Sequence, residues 1–188
     1  MSYRVGYFVG SLSSNSLNRK LAGALTQVAP DELEFVEIPI ADLPLYSPDF
    51  DPDYPPVGRA LKDSLAEVEA VLFVTPEYNR SIPGSLKNAI DWASRPPGTN
   101  SFDHMPTAVI GASPGKIGTA LGQQALRGTL SYCNARQMTA PEAYIQINHD
   151  DFDDDGQVRS DSIRDFLADF MGEFHDHIVR VLTVLPRN

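Results

Sequence analysis

At 188 residues the chain has room for one well-buried α/β domain, expected to span residues 1–188, and too little for two. Fifteen Lys and Arg against 25 Asp and Glu leave a net charge of −10, which opposes generic binding to nucleic acid or to an anionic membrane. The lone cysteine, Cys133, excludes an intramolecular disulfide and a cysteine-based zinc site, and it reads as a small buried hydrophobe in a reducing compartment. The first residues, Met1-Ser2-Tyr3-Arg4-Val5-Gly6, enter a strand at once without a signal-peptide core. No apolar run approaches the ~20 residues of a membrane span. These features point to a cytoplasmic protein with no nucleic-acid or membrane partner and no metal.

Residues 3–9 read as the first strand, followed by a loop of small hydrogen-bonding residues from Gly10 to Ser16. A helix then starts at about Leu17, with Leu17, Leu21, Leu25 and Val28 on one stripe. Strand, hydroxyl-rich loop and helix N-terminus together make an anion site, because the first helical turn presents unpaired N–H groups and a partial positive charge. The same pattern also suits an ordinary capped helix. The loop is neither a Walker A loop nor a G-x-G-x-x-G fingerprint, which disfavours nucleoside-triphosphate chemistry. Residues 33–38 read as a second strand. Pro39, Pro44, Pro48, Pro52, Pro55 and Pro56 then rule out a helix and give either an ordered excursion or a mobile flap. A second helix follows over residues 59–68, with Leu61, Leu65 and Val68 inward.

Val71-Leu72-Phe73-Val74 is an unbroken apolar run, the mark of a strand buried on both faces at the centre of a parallel sheet. Pro76 ends it, and the next helix begins at about Pro83, with Leu86, Ala89, Ile90 and Ala93 on its apolar face. The loop between, residues 76–81, lies at the carboxyl end of a central strand, where open α/β sheets bind ligands. Its rigid Pro76, its stackable Tyr78 and the backbone N–H groups near Asn79 suit a flat polar ring, although a capped surface turn has the same composition.

Residues 105–110 form the fourth expected strand and deliver Gly111-Ala112-Ser113-Pro114-Gly115-Lys116-Ile117-Gly118 to the same edge. Gly111-x-Ser113-x-Gly115 matches the nucleophile elbow of serine hydrolases, but Pro114 stands where the elbow needs a backbone N–H for its oxyanion hole. Residues 118–131 read as a helix with Ile117, Leu121, Ala125 and Leu130 inward and Arg127 solvated. Either residues 138–140 or residues 143–147 supply the fifth strand. Asp151-x-Asp153-x-Asp155-Gly156 opens like a calcium loop, but Ser162 occupies the position of the required bidentate Glu, which leaves a solvated acidic turn. The last helix carries a wide stripe of Ile163, Phe166, Leu167, Phe170, Met171, Phe174, Ile178, Val181 and Leu182. His175 and His177 lie two apart, share no helix face, and read as surface or interface residues. Alternating strands and helices with right-handed crossovers give a doubly wound, five-stranded parallel sheet of order 2-1-3-4-5 with helices on both faces.

Nearly the whole chain resembles a known family, most specifically in two stretches. Residues 75–95, Thr-Pro-Glu-Tyr-Asn-Arg-Ser-Ile-Pro-Gly-Ser-Leu-Lys-Asn-Ala-Ile-Asp-Trp-Ala-Ser-Arg, resemble the ring-binding segment of the NAD(P)H-dependent FMN reductases, flavodoxin-like enzymes that include bacterial quinone, chromate and azo-dye reductases. Gly10, Ser11, Ser16, Asn18 and Arg19 fall on the same family's G-S-x-R-x-x-S-x-N-R pattern. The resemblance implies an enzyme that passes two electrons from NADH or NADPH through bound FMN to a quinone, azo compound, chromate or free flavin. It implies that Ser11, Ser13, Asn15, Ser16, Leu17 and Asn18 surround the FMN phosphate and that Pro76, Glu77, Tyr78, Asn79 and Ser81 meet the ring edge. Ser113, Pro114, Gly115, Lys116 and Gly118 would then flank the ring. No side chain is needed as acid or base, since the flavin carries the hydride chemistry. Arg80 and Lys116 lie within reach of the nicotinamide nucleotide.

The resemblance also implies a homodimer or homotetramer, with Asp42-Leu43-Pro44-Leu45-Tyr46 near the partner and Arg127 matching a family arginine at subunit contacts. Two departures stand out. Ser13 replaces the family's loop arginine, and in residues 113–119, which resemble the family's S-x-G-x-x-G-G loop over the flavin, Thr119 replaces the second glycine of the final pair, a mild departure that leaves room for a narrower site. A flavodoxin-like electron carrier that does not oxidise pyridine nucleotides is the alternative.

Overall fold

The computed structural model describes residues 2–185; Met1 and residues 186–188 of the expected domain lie outside them. In chain order the elements are β1 (Tyr3–Val9), α1 (Leu17–Val28), β2 (Leu33–Glu37), α2 (Pro56–Ala66), β3 (Ala70–Val74), α3 (Gly84–Ala93), β4 (Pro106–Ser113), α4 (Ala120–Tyr132), β5 (Arg136–Gln137), β6 (Tyr144–Gln146) and α5 (Asp161–Val184). The strands pair in parallel in the order β2-β1-β3-β4-β5, and β6 also pairs with β4. This is the flavodoxin-like order expected from the alternation of elements. Every residue of β3 is buried, as its unbroken apolar sequence requires when strands pair on both edges and helices cover both faces.

Two apolar clusters sandwich the sheet. Leu21 and Leu25 of α1 pack with Leu167, Phe170 and Phe174 of α5 on one face. Leu61 and Leu65 of α2, Leu86 and Trp92 of α3, and Leu126 and Leu130 of α4 pack on the other. Each large side chain buried in this way contributes roughly 1.5–3 kcal/mol of transfer free energy.

The proline-rich excursion is an ordered one, and against the expectation of no helix Pro48–Asp53 forms a short 3-10 helix, whose tighter turn begins at a proline and is capped by Ser47. Tyr46, Phe50 and Tyr54 surround the Trp92 ring at centroid distances of 5.4, 5.3 and 5.0 Å. Trp92 Nε1 donates to the Pro44 carbonyl at 2.7 Å, and the Asn88 side chain bridges Pro44 O and Tyr46 N. Here α2 starts at Pro56, three residues before the expected start, because proline fits the first helical turn without losing a hydrogen bond.

Three expectations change around β4. The strand runs on through Gly111, Ala112 and Ser113, because those residues gain a partner in β6. The fifth strand is split in two: Arg136–Gln137 pairs with the start of β4 and Tyr144–Gln146 with its end. Residues 138–140 are therefore not a strand, although Met138 N still bonds Thr107 O at 2.7 Å. Finally, α4 buries Gly122, Gln123, Leu126 and Leu130, whereas Ile117 and Leu121 are exposed. Gln123 Nε2 donates to Thr119 Oγ1 and to the Ala143 carbonyl, so a polar side chain occupies the inward stripe.

Arg127 is half-buried, not solvated; it donates to the Met138 carbonyl at 2.8 Å, and burial pulls its pKa below the usual arginine value. Cys133 is buried as expected, and its thiol pKa is pushed up by that burial. His177 is half-buried and meets the Arg136 carbonyl at 2.8 Å, fixing α5 against β5. Among the described residues no helix is long and apolar enough to cross a membrane.

Candidate functional site

The site is built where β1, β3 and β4 end. Gly10 N bonds the Val74 carbonyl and Thr75 N bonds the Ile110 carbonyl, so the three strands run out side by side. Gly111 allows this convergence, since a Cβ there would lie 2.1 Å from the Thr75 carbonyl oxygen and 2.3 Å from Thr119 Oγ1. The loops that leave these ends border a cleft of about 290 Å³ lined by Ser11, Ser13, Asn15, Ser16, Leu17, Asn18, Pro76, Glu77, Tyr78, Ala112, Ser113, Pro114 and His149. A recess of about 360 Å³, lined by Glu77, Arg80, Ser113, Gly115, Lys116, Ile117 and Gly118, adjoins it through Glu77 and Ser113. A tighter hollow of about 110 Å³ between α2 and the excursion is bordered chiefly by apolar residues such as Ile38, Leu43, Val57 and Leu61.

The first loop satisfies some of its own amides and leaves two at the start of α1 unpaired. Ser16 caps α1, its Oγ accepting from Arg19 N at 3.2 Å, and the hydroxyls of Ser11 and Ser13 accept from Ser13 N and Asn15 N. The amides of Leu17 and Asn18 precede the first intrahelical bond and have no acceptor among the described residues, so the helix offers donors and the positive end of its dipole to the cleft. Asn18, only 2% exposed, faces inward: its Nδ2 donates to Ala112 O at 3.0 Å and its Oδ1 accepts from Ala112 N at 2.9 Å. This pair of bonds fastens the start of α1 to the end of β4. The Arg19 guanidinium is committed elsewhere, forming a two-pronged pair with Glu37 at 2.7 and 2.9 Å.

The third loop is a tight hairpin. Tyr78 and Ser81 exchange both backbone hydrogen bonds, at 3.1 and 3.0 Å, and Asn79 and Arg80 between them have φ of 51° and 64°. Two successive left-handed residues define a type I′ turn, in which the Asn79 and Arg80 amides point outward. Glu77 ties the tip to α4. Its carboxylate is 8% exposed, accepts from Leu121 N and Gly122 N at 2.9 Å each, and pairs with Arg80 at 3.2 Å. It thereby caps α4 and holds the hairpin against it, with Gly122 small enough to face the Ser81 carbonyl. This also explains why Leu121 faces outward.

Ser113 does not have the geometry of a nucleophile. Its hydroxyl donates to the Gly118 carbonyl at 2.8 Å and accepts from Gly115 N at 3.1 Å, and it lies outside the positive-φ positions. Thr119 is fully buried and lines neither the cleft nor the recess, so it does not narrow the site. Asn79 and Ser81 lie on the hairpin without lining the cleft, whereas Gly115, Lys116 and Gly118 border the recess. Sequence reasoning missed Ala112 and His149. The carboxylates of Asp151 and Asp153 accept from amides of their own turn.

Comparison with known proteins agrees with this geometry. The chain is 45% identical over 174 residues to the 2-hydroxy-1,4-benzoquinone reductase of a Burkholderia species, covering 93% of this chain and 95% of that one. It is 44% identical over 173 residues to a quinone reductase of Pseudomonas putida, covering 92% of each. Its fold superimposes with a TM-score of 0.91, at 46% identity, on FerB of Paracoccus denitrificans, a flavoenzyme NAD(P)H:(acceptor) oxidoreductase, over 95% of this chain and 98% of that one. Residues 3–150, which contain all three loops, match the family model, and the chain belongs to the NADPH-dependent FMN reductase family.

Proposed function

We propose that the protein is an NAD(P)H-dependent quinone reductase working through bound FMN. The observation that carries this reading is one cleft at the ends of β1, β3 and β4 that is bordered both by the unpaired amides at the start of α1 and by Pro76, Glu77 and Tyr78 of the third loop. The residues present fit the cofactor. Small hydroxyl and amide side chains leave room at the phosphate end, and the loop carrying Ser113, Pro114 and Gly115 is thin enough to lie against a ring. In this reading Ser11, Ser13, Asn15, Ser16, Leu17 and Asn18 form the phosphate cradle. Pro76, Tyr78, Asn79 and Ser81 meet the ring edge, with Glu77 positioning them, while Ser113, Pro114, Gly115, Lys116 and Gly118 flank the ring.

Held by these residues, FMN would supply two-electron hydride chemistry between the pyridine nucleotide and the quinone. The chain's residues bind and orient, and none is required to move a proton. Arg80 and Lys116, on the rim of the adjoining recess, bind the pyridine nucleotide's phosphates. Exposed Leu45 and Tyr132, at 83% and 82%, and half-exposed Leu12, Ile117 and Leu121 support self-association of this one-domain protein as a homodimer or homotetramer in the cytoplasm.

The test is an anaerobic titration of the FMN-loaded protein with NADPH, then NADH, followed by 1,4-benzoquinone. The flavin absorption should bleach with pyridine nucleotide and return with the quinone; azo dye and chromate can be compared in the same cuvette. Flavin that binds but stays oxidised would instead favour an electron carrier. Arg80→Ala and Lys116→Ala should each raise the pyridine-nucleotide KM about fivefold, the scale of an exposed ion pair. Unchanged KM values would remove those two residues from the site.

A further inference from the structure

His149 borders the cleft without having been assigned any part in it. The Ile147 amide bonds the Ser113 carbonyl at 3.2 Å, so the chain beyond β6 leaves from the very end of β4. It then turns onto the face of the sheet that carries α1. Phe152 is buried in the α1/α5 cluster with its ring centroid 5.5 Å from Lys20 Nζ, and Gln27 of α1 donates to the Asp155 carbonyl at 3.1 Å. These contacts put His149 on the side of the cleft where α1 begins. Bonds between Asn148 and Asp151, N to Oδ2 at 2.7 Å and O to N at 3.2 Å, fix the short turn that carries it.

The two ring nitrogens differ. Neither has a hydrogen-bond partner among the described residues, but Nδ1 is buried whereas Nε2 is not among the buried unpaired atoms. A buried lone pair without a partner is tolerated better than a buried N–H without one, which places the ring proton on Nε2, the nitrogen left for the cleft. Among the described residues no other basic side chain lines that cleft: Arg19 is engaged by Glu37, and the first loop contains only Ser, Leu and Asn after Gly10. A phosphate monoester brings a charge of about −1.5 to −2 to a protein that already carries −10.

We propose that His149 is a cofactor-binding residue whose Nε2–H donates to the phosphate of FMN at the N-terminus of α1. The assignment rests on the FMN reading above and adds a side-chain donor, from the opposite edge of the sheet, to a cradle otherwise made of backbone amides and hydroxyls.

The test is titration of FMN and of riboflavin, which lacks the phosphate, into deflavinated wild-type protein and the variants His149→Ala, His149→Gln and His149→Asn, followed by flavin fluorescence. The expected result is an FMN affinity lowered about tenfold in His149→Ala, the scale of a hydrogen bond to a charged group, with riboflavin affinity unchanged. Glutamine, whose amide nitrogen reaches the place of Nε2, should restore most of the loss; asparagine, which reaches only the place of Nδ1, should not. Equal FMN affinity in wild type and His149→Ala, or parallel loss of FMN and riboflavin, would overturn the assignment while leaving the FMN reading intact. Wild-type protein that takes up no FMN would remove both.

Discussion

The first and third loops reach the same cleft from adjacent strands, but they are held in different ways. The first is tied from beneath: Asn18 bonds both backbone groups of Ala112, and the hydroxyls above it bond amides of their own loop. The third is tied from the side, where the Glu77 carboxylate takes the first amides of α4 and leaves the hairpin tip free of side-chain bonds to the rest of the sheet. The lesson is that residues of one motif divide into those that face a ligand and those that hold the loop. Asn18 and Glu77 fall in the second group through their side chains, although both also border the cleft.

This contrast makes ordered predictions. Asn18→Ala should have the larger effect on stability, because it leaves a buried N–H and a buried carbonyl of β4 unpaired; a loss of about 3 kcal/mol in urea unfolding is expected. Glu77→Ala removes a helix cap and one salt bridge, for a loss of about 2 kcal/mol, part of which Glu77→Gln should recover by keeping one acceptor. If Glu77→Ala proves the more damaging in the same unfolding assay, the third loop is the structural keystone and the comparison is inverted.

What could be read from the sequence follows the same division. The all-apolar run of β3, the period of α5 and the hydroxyl-rich first loop are local patterns, and each produced the element or loop expected of it. The features missed depend on contacts between distant residues. The inward face of α4 cannot be found from hydrophobicity, because Glu77, more than forty positions earlier, fixes the helix by its amides and turns Gly122 and Gln123 inward. The excursion was ambiguous because its anchor, Trp92, lies in α3 and gathers three aromatic rings from residues 46–54. His149 carries one usable signal, a histidine just past an expected fifth strand, but the aspartates beside it resemble the opening of a calcium loop.

In the proposed function, one cleft holds FMN with its phosphate at α1 and its ring at the third loop. The most direct measurement is a crystal structure of the protein grown with FMN. Phosphate oxygens are expected within about 3 Å of the Leu17 and Asn18 amides, with the ring edge at the Asn79 and Arg80 amides. A phosphate lodged instead in the recess beside Arg80 and Lys116 would contradict it.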